Sequence, residues 1–128
     1  MTTAQPDTTA AVLIVDDEPA TAESFAAILK RNGHRVCIAR SDAEALAGLA
    51  DGAPDVAIFD LEVASATAER LQHIDKRPLL IALLKPGSAQ RFTREQLSAF
   101  DYVFFKAVSP QILADKVAQF MTDRTELY

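Results

Sequence analysis

The sequence contains a single cysteine, Cys37, among its 128 residues. One thiol excludes an internal disulfide and any metal site built on several thiolates. The first ten residues, MTTAQPDTTA, lack the basic and then apolar segments of a signal peptide, and no apolar run reaches the ~18 residues of a membrane span. These absences predict a cytoplasmic protein that does not enter a membrane.

Basic residues are also in the minority. The chain has 13 Lys and Arg against 18 Asp and Glu, a formal net charge of −5, which gives it no general attraction to nucleic acids or anionic membranes. No glycine-rich phosphate loop follows the first apolar run, which excludes a nucleotide-binding protein of that type. The length and the 49% hydrophobic content predict one globular domain at 10–123, between a leader at 1–9 and a tail at 124–128.

Short apolar runs recur at a steady interval along the chain. They are nearly continuous rather than alternating, which indicates strands buried on both faces of a parallel sheet. The segments between them have the apolar spacing of helices. The pattern predicts an α/β fold of five βα units, a five-stranded parallel sheet with helices on both faces. The five runs are Val12–Val15, Val36–Ala39, Val56–Phe59, Leu79–Leu84 and Tyr102–Phe105.

Charged residues follow three of these runs directly. Asp16 and Asp17 follow the first, Asp60 the third and Lys106 the fifth. Since the carboxyl ends of parallel strands lie at one edge of the sheet, we expect these four side chains to share a pocket. Clustered carboxylates suit Mg²⁺, and a lysine beside them can hold an anionic ligand. Carboxylates can also form aspartyl-phosphates, so Asp60 is the candidate nucleophile.

Three segments resemble the receiver domain of two-component response regulators: VLIVDDEP, DVAIFDLE and DYVFFKAVSPQIL. The resemblance extends over about Ala11 to Met121 and implies the flavodoxin-like (βα)5 fold. It also implies that a sensor histidine kinase or a histidine phosphotransfer protein donates a phosphoryl group to Asp60. By the same resemblance, Mg²⁺ is bound directly by Asp17 and Asp60 and through water by Asp16, while Lys106 contacts the phosphoryl oxygens.

The chain departs from the receiver pattern at the residues that transmit the signal. Leu84 replaces the usual Ser or Thr at the end of the fourth strand, and Lys85 replaces the small residue after it. Val103 stands where an aromatic switch residue is expected, and Ala107 replaces a proline, which favours a trans peptide bond after Lys106. We therefore expect a degenerate switch and little structural response to phosphorylation, unless Lys85 turns toward the site rather than outward.

Two other functions remain open at this point. The first is a phosphorylation-independent pseudo-receiver that acts as a protein interaction module, because fold alone does not determine function. The second is a phosphatase of the haloacid-dehalogenase type, which needs an aspartate two residues after its nucleophile, where this chain has Glu62. The chain is expected to be a phosphoryl acceptor at most rather than an enzyme. It could form a homodimer, and its downstream effector is left open.

The remaining candidate residues have ordinary structural interpretations. His34 and His73 are expected to be solvated. Cys37 is expected to be a small buried hydrophobe, and Phe104 and Phe105 are expected to belong to the core.

Overall fold

The structure is a computed structural model that describes residues 8–126, so most of the expected leader and the last two residues lie outside the described part. Five strands alternate with five helices, as the apolar runs predict. Short 3-10 turns follow α2, at Leu49–Asp51, and precede α4, at Ala89–Arg91. The elements are β1 (Ala11–Val15), α1 (Pro19–Arg31), β2 (Arg35–Ala39), α2 (Asp42–Gly48), β3 (Val56–Asp60), α3 (Ser65–Gln72), β4 (Leu79–Leu84), α4 (Arg94–Ser98), β5 (Tyr102–Phe105) and α5 (Pro110–Glu126).

All five strands are parallel and form one sheet in the order β2-β1-β3-β4-β5. This confirms the predicted fold class. The register places Val15 of β1 beside Phe59 of β3, and Asp60 beside Leu83 of β4. Because the strands are parallel and in near alignment, their carboxyl ends, and the loops that follow them, meet at one edge of the sheet.

Helices cover both faces of the sheet, and each face has its own apolar cluster. On one face, α1 and α5 pack on the sheet; on the other face lie α2, α3 and the residues around α4. Because helices cover both faces, the central strands are buried on both sides, which is why their sequences are almost continuously apolar. The first cluster includes Ile14, Phe25, Leu29, Ile58, Ile81, Leu113 and Val117, and the second includes Val15, Phe59, Leu71, Leu80, Leu84 and Phe100.

Burial on both faces holds for β1, β3 and β4 but not for the edge strands. Cys37 on β2 is exposed, and Phe105 on β5 is 54% exposed, so the expectation that both are buried is wrong. The covering helices are short: α2 has seven residues and α4 five. They leave part of each edge strand in contact with solvent.

His34 is also placed differently from the expectation. It is 8% exposed, and its Nδ1 accepts a hydrogen bond of 3.0 Å from the backbone N–H of Ala10. It begins the chain's return to the sheet after α1, whose last residue, Arg31, is followed by the C-cap Asn32 and by Gly33 with φ of 93°. The ring therefore ties the end of the α1 turn to the entry of β1, whereas His73 is exposed as expected.

The last helix confirms its predicted start, because α5 begins at Pro110 and Ser109 Oγ accepts the N–H of Gln111. The helix continues to Glu126, past the boundary that the sequence suggested at 123. Within residues 8–126, no helix is both long enough and apolar enough to cross a bilayer.

Candidate functional site

The structure brings Asp16, Asp17, Asp60 and Lys106 together at the carboxyl edge of the sheet. Asp60 is the last residue of β3, Asp16 directly follows β1, and Lys106 directly follows β5. Carboxylate oxygens of Asp16, Asp17, Glu18 and Asp60 all lie within 4.8 Å of one another. Residues from three distant parts of the chain thus form one acidic site, as the strand ends predicted.

Backbone hydrogen bonds hold the two buried acids in place. Asp16 Oδ1 accepts the N–H of Glu18 at 2.9 Å, and Asp60 Oδ1 accepts the N–H of Glu62 at 3.0 Å. Each carboxylate therefore closes the first turn of the loop that follows its own strand. Asp16 is 1% exposed and Asp60 fully buried, while Asp17 is exposed. The site therefore has two buried carboxylates at its base and an open side at Asp17.

Lys106 supplies the positive charge inside this site. Its Nζ lies 3.0 Å from Asp16 Oδ1, 2.8 Å from Glu18 Oε1 and 2.8 Å from Asp60 Oδ2. The Lys106 side chain is only 9% exposed, so these contacts are poorly screened by water. The backbone N–H of Lys106 donates to the carbonyl of Leu84 at 2.8 Å, which extends the β4–β5 pairing by one residue and aims the side chain at the acids.

The ionisation of these groups reflects burial and charge together. Burial raises the pKa of Asp16, against the hydrogen bond from Glu18 and the charge of Lys106. The Lys106 ammonium lowers the pKa of Glu18. Burial alone would lower the pKa of Lys106, but its contacts with Asp60, Glu18 and Asp16 outweigh burial and raise that pKa. Lys106 is therefore a permanent cation at neutral pH.

The site also fits a divalent cation. Asp16 Oδ2 is buried without a hydrogen-bond partner among the described residues, and Asp60 Oδ2 is buried 2.8 Å from the Lys106 ammonium, with which it forms an ion pair. Carboxylate oxygens without donors are the ligands that Mg²⁺ prefers, and this ion keeps several waters on an open side such as that at Asp17. One lysine cannot balance four clustered acids, which leaves net negative charge for a cation to neutralise.

Two of the three expected switch positions, Leu84 and Val103, have different environments. Leu84 is 2% exposed and packs in the cluster of Phe59 and Phe100, whose rings meet edge to face at 6.0 Å. Val103 is 39% exposed on β5, opposite Ala82 of β4. Neither side chain can donate a hydrogen bond. The described residues contain no cis peptide bond, so the bond after Lys106 is trans, as expected from Ala107.

Lys85, the third expected switch position, adopts neither of the two orientations that the sequence left open, toward the site or outward. Its Nζ lies 3.6 Å from Glu18 Oε1 and 3.8 Å from Glu62 Oε2, at the mouth of the site, rather than on Asp60 or in open solvent. Arg91 Nη1 donates to Glu62 Oε1 at 3.1 Å. The sequence pattern gave Glu18 and Arg91 no place in the site. Glu18 follows the acid pair directly and could have been included, whereas the turn that brings Arg91 to Glu62 leaves no sequence signal.

Comparison with known proteins agrees with this geometry. The family model described as the response regulator receiver domain matches residues 12–118. The sensory transduction protein LytT of Enterococcus faecalis is 33% identical over 76 residues, which cover 55% of this chain and 31% of that protein. The match thus spans about a third of the length of LytT.

Solved receiver domains share the fold at low sequence identity. The CheY-like response regulator receiver domain protein of Methanospirillum hungatei superposes with a TM-score of 0.77 at 23% identity, covering 94% of this chain and 99% of the other. The receiver domain of the Francisella response regulator 1452 gives 0.77 at 21% identity, with coverage of 91% and 99%. Similarity at this level supports the fold, and the family model supports the family: the chain belongs to the response regulator receiver domain family of two-component signalling.

Proposed function

We propose that Asp60 accepts a phosphoryl group from a sensor histidine kinase or a histidine phosphotransfer protein. The observation that carries the proposal is the position of the Asp60 carboxylate, which is buried at the end of β3, within the acidic cluster and 2.8 Å from Lys106 Nζ. Receiver domains as a family interact with such donors. A carboxylate fixed by the N–H of Glu62 through Oδ1 keeps Oδ2 available as the attacking atom.

In the proposed step, Asp60 Oδ2 attacks the phosphorus atom of a phosphohistidine. The new O–P bond forms as the P–N bond breaks, and its electron pair remains on the imidazole nitrogen of the donor, so no oxidant or reductant is needed. Lys106 then moves its ammonium group from Asp60 Oδ2 to an oxygen of the incoming phosphoryl group. Glu18 and Asp16 contact the same ammonium group and would keep it within the site during this step.

The site is expected to work with Mg²⁺, held by Asp17 and Asp60 directly and by Asp16 through water. When bound, the ion supplies positive charge that offsets the repulsion between these carboxylates and a phosphoryl group. The exposure of Asp17 leaves room for the waters that Mg²⁺ retains. Asp60 would thus serve both as the nucleophile and as a metal ligand, Asp17 would be the second direct ligand, and Asp16 would orient the ion through water.

We further propose that the switch is degenerate. A hydroxyl in place of Leu84 could follow the phosphoryl group, but the leucine side chain is packed among Phe59 and Phe100 and offers no donor. A ligand shifts a conformational equilibrium only through contacts that differ between the two states. The same observation favours the alternative of an interaction module that works without phosphorylation, since its surface would not need to change.

Intact mass spectrometry after incubation with acetyl phosphate and Mg²⁺ tests the proposal. We expect the mass to increase by one phosphoryl group in the wild type, with no increase in Asp60→Asn and a strongly reduced one in Asp17→Asn. Asp75→Asn, at an exposed acid away from the site, is the matched control and should behave as the wild type. An unmodified wild type under these conditions would contradict the proposal and favour the interaction module.

A further inference from the structure

Four side chains of alternating charge cross the mouth of the acidic site. Glu18 comes from the loop after β1, Glu62 from the loop after β3, and Lys85 and Arg91 from the segment between β4 and α4. Lys85 stands between the two glutamates, and Arg91 contacts Glu62. We call these four residues the rim chain. It links the segment after β4 to both acidic loops.

Lys85 is the weakly held member of the rim chain. Its distances of 3.6 Å to Glu18 and 3.8 Å to Glu62 exceed hydrogen-bond length, and its side chain is 44% exposed. Both glutamates have a closer partner: Glu18 contacts Lys106 at 2.8 Å, and Glu62 contacts Arg91 at 3.1 Å. Exposed ion pairs of this length contribute little. Lys85 can therefore leave both acids without stranding either of them.

A phosphoryl group on Asp60 would change the balance of forces on Lys85. The aspartyl phosphate carries about two negative charges where the free carboxylate carried one, and it places three acceptor oxygens next to Lys106, which already contacts Glu18, the neighbour of Lys85. Lys106 alone carries one positive charge. We infer that Lys85 is a second cationic contact for the phosphoryl group, and that Glu62 is the positioning residue that retains it at the rim until that group arrives. The inference rests on the proposed function of Asp60.

The proposed contact predicts that two substitutions change the affinity for a phosphoryl mimic in opposite directions. Lys85→Met removes the contact while keeping the length of the side chain, so binding of a phosphoryl mimic should weaken. Glu62→Gln removes one of the two acids that hold Lys85 at the rim, so binding should tighten. A through-space effect of the lost Glu62 charge would also tighten binding, but it would do so whether or not Lys85 is present. The double variant separates the two explanations.

The experiment is a titration of the full chain with beryllofluoride and Mg²⁺, in which amide chemical shifts report binding. We expect Lys85→Met to weaken binding about tenfold, the size of one lost charge-assisted hydrogen bond, and Lys85→Arg to retain most of the affinity. Glu62→Gln should tighten binding about threefold alone and have no effect in the Lys85→Met background. Arg94→Met, an exposed cation in the next helix, is the matched control and should bind as the wild type.

The outcomes separate this inference from the proposed function. Equal affinity in the wild type and Lys85→Met would overturn the contact, and a Glu62→Gln effect that persists in the double variant would overturn the retaining role of Glu62. Either result leaves the phosphoryl acceptor intact. A wild type that binds no beryllofluoride and takes no phosphoryl group would overturn the proposed function, and this inference with it.

Discussion

Lys106 Nζ lies 2.8 Å from Asp60 Oδ2, and the two side chains are 9% and 0% exposed. The same ammonium group contacts Asp16 and Glu18, so one lysine acts as the shared counter-ion of three acids. In the absence of a metal, this ammonium group offsets part of the repulsion among the clustered carboxylates. It also places a cation beside the atom that the proposed function uses as the nucleophile.

The first prediction concerns this counter-ion. Lys106→Met should reduce the free energy of unfolding by about 3–5 kcal/mol in EDTA, because it leaves buried carboxylates without a partner. Added Mg²⁺ should restore part of the loss. Urea unfolding with and without Mg²⁺ measures both effects, and Lys76→Met, at an exposed lysine, should change neither. Equal stability of Lys106→Met and the wild type in EDTA would show that Lys106 does not balance the cluster.

The second prediction concerns the acids themselves. Asp17→Asn and Asp60→Asn should each weaken Mg²⁺ binding, since each removes one charged ligand. Asp60→Asn should also stabilise the metal-free protein by about 1 kcal/mol or more, because it relieves repulsion and the cost of burying a charge. Calorimetric Mg²⁺ titration and unfolding in EDTA measure these effects. If both variants bind Mg²⁺ as tightly as the wild type, the ion binds elsewhere.

The third prediction follows from Leu84 and Val103. Beryllofluoride with Mg²⁺ should shift amide signals in the loops after β1 and β3, at Lys106 and in the segment from Lys85 to Arg91. Signals of Val103 and the rest of β5 should change little, since no side chain there has a different contact in the two states. Two-dimensional amide spectra give the answer. Large shifts throughout α4 and β5 would show that a working switch exists, and Lys85→Ala would then be expected to abolish them.

The fourth prediction concerns pH. Burial lowers the pKa of His34 in the folded protein, and its Nδ1 must stay unprotonated to accept the N–H of Ala10. In the unfolded chain, His34 has the ordinary histidine pKa of about 6.5 and therefore takes up its proton at a higher pH than in the folded protein. The contribution of His34 to stability is full above that pH and is lost as the pH falls through the folded-state pKa. His34→Asn, which keeps an acceptor, should not share this loss.

Urea unfolding at pH 7.5 and at pH 5.5 measures these effects. The difference in the free energy of unfolding between the wild type and His34→Asn reports the protonation of His34. His34→Leu should cost about 1–3 kcal/mol at the higher pH, since it leaves the N–H of Ala10 unpaired. A stability difference between wild type and His34→Asn that is the same at both pH values would refute the role of the ring as an acceptor.

Much of the fold follows from local sequence signals. The runs that became β4 and β5 match the observed strands, Leu79–Leu84 and Tyr102–Phe105, and the other strands differ by one residue at an end. Continuous apolar runs are hard to reconcile with anything but buried elements, and Pro110 after Ser109 marks a helix start through local geometry alone. Asp60 and Lys106 were also found locally, because each follows such a run.

Other features depended on how the elements pack. Cys37 and Phe105 look like core residues in the sequence, yet the short α2 and α4 leave them exposed at the sheet edges. His34 looks like a turn residue, yet the start of β1 buries it.

The contacts of Lys85 with Glu18 and Glu62 belong to the same class, because they join three loops from separate parts of the chain. The sequence by itself determined the strands, the order of βα units and the residues at the strand ends, since hydrophobic periodicity and strand-end placement are local properties. Only the tertiary structure decided which edges remain uncovered and which charges meet at the mouth of the site, because these depend on helix length and loop path across the whole sheet.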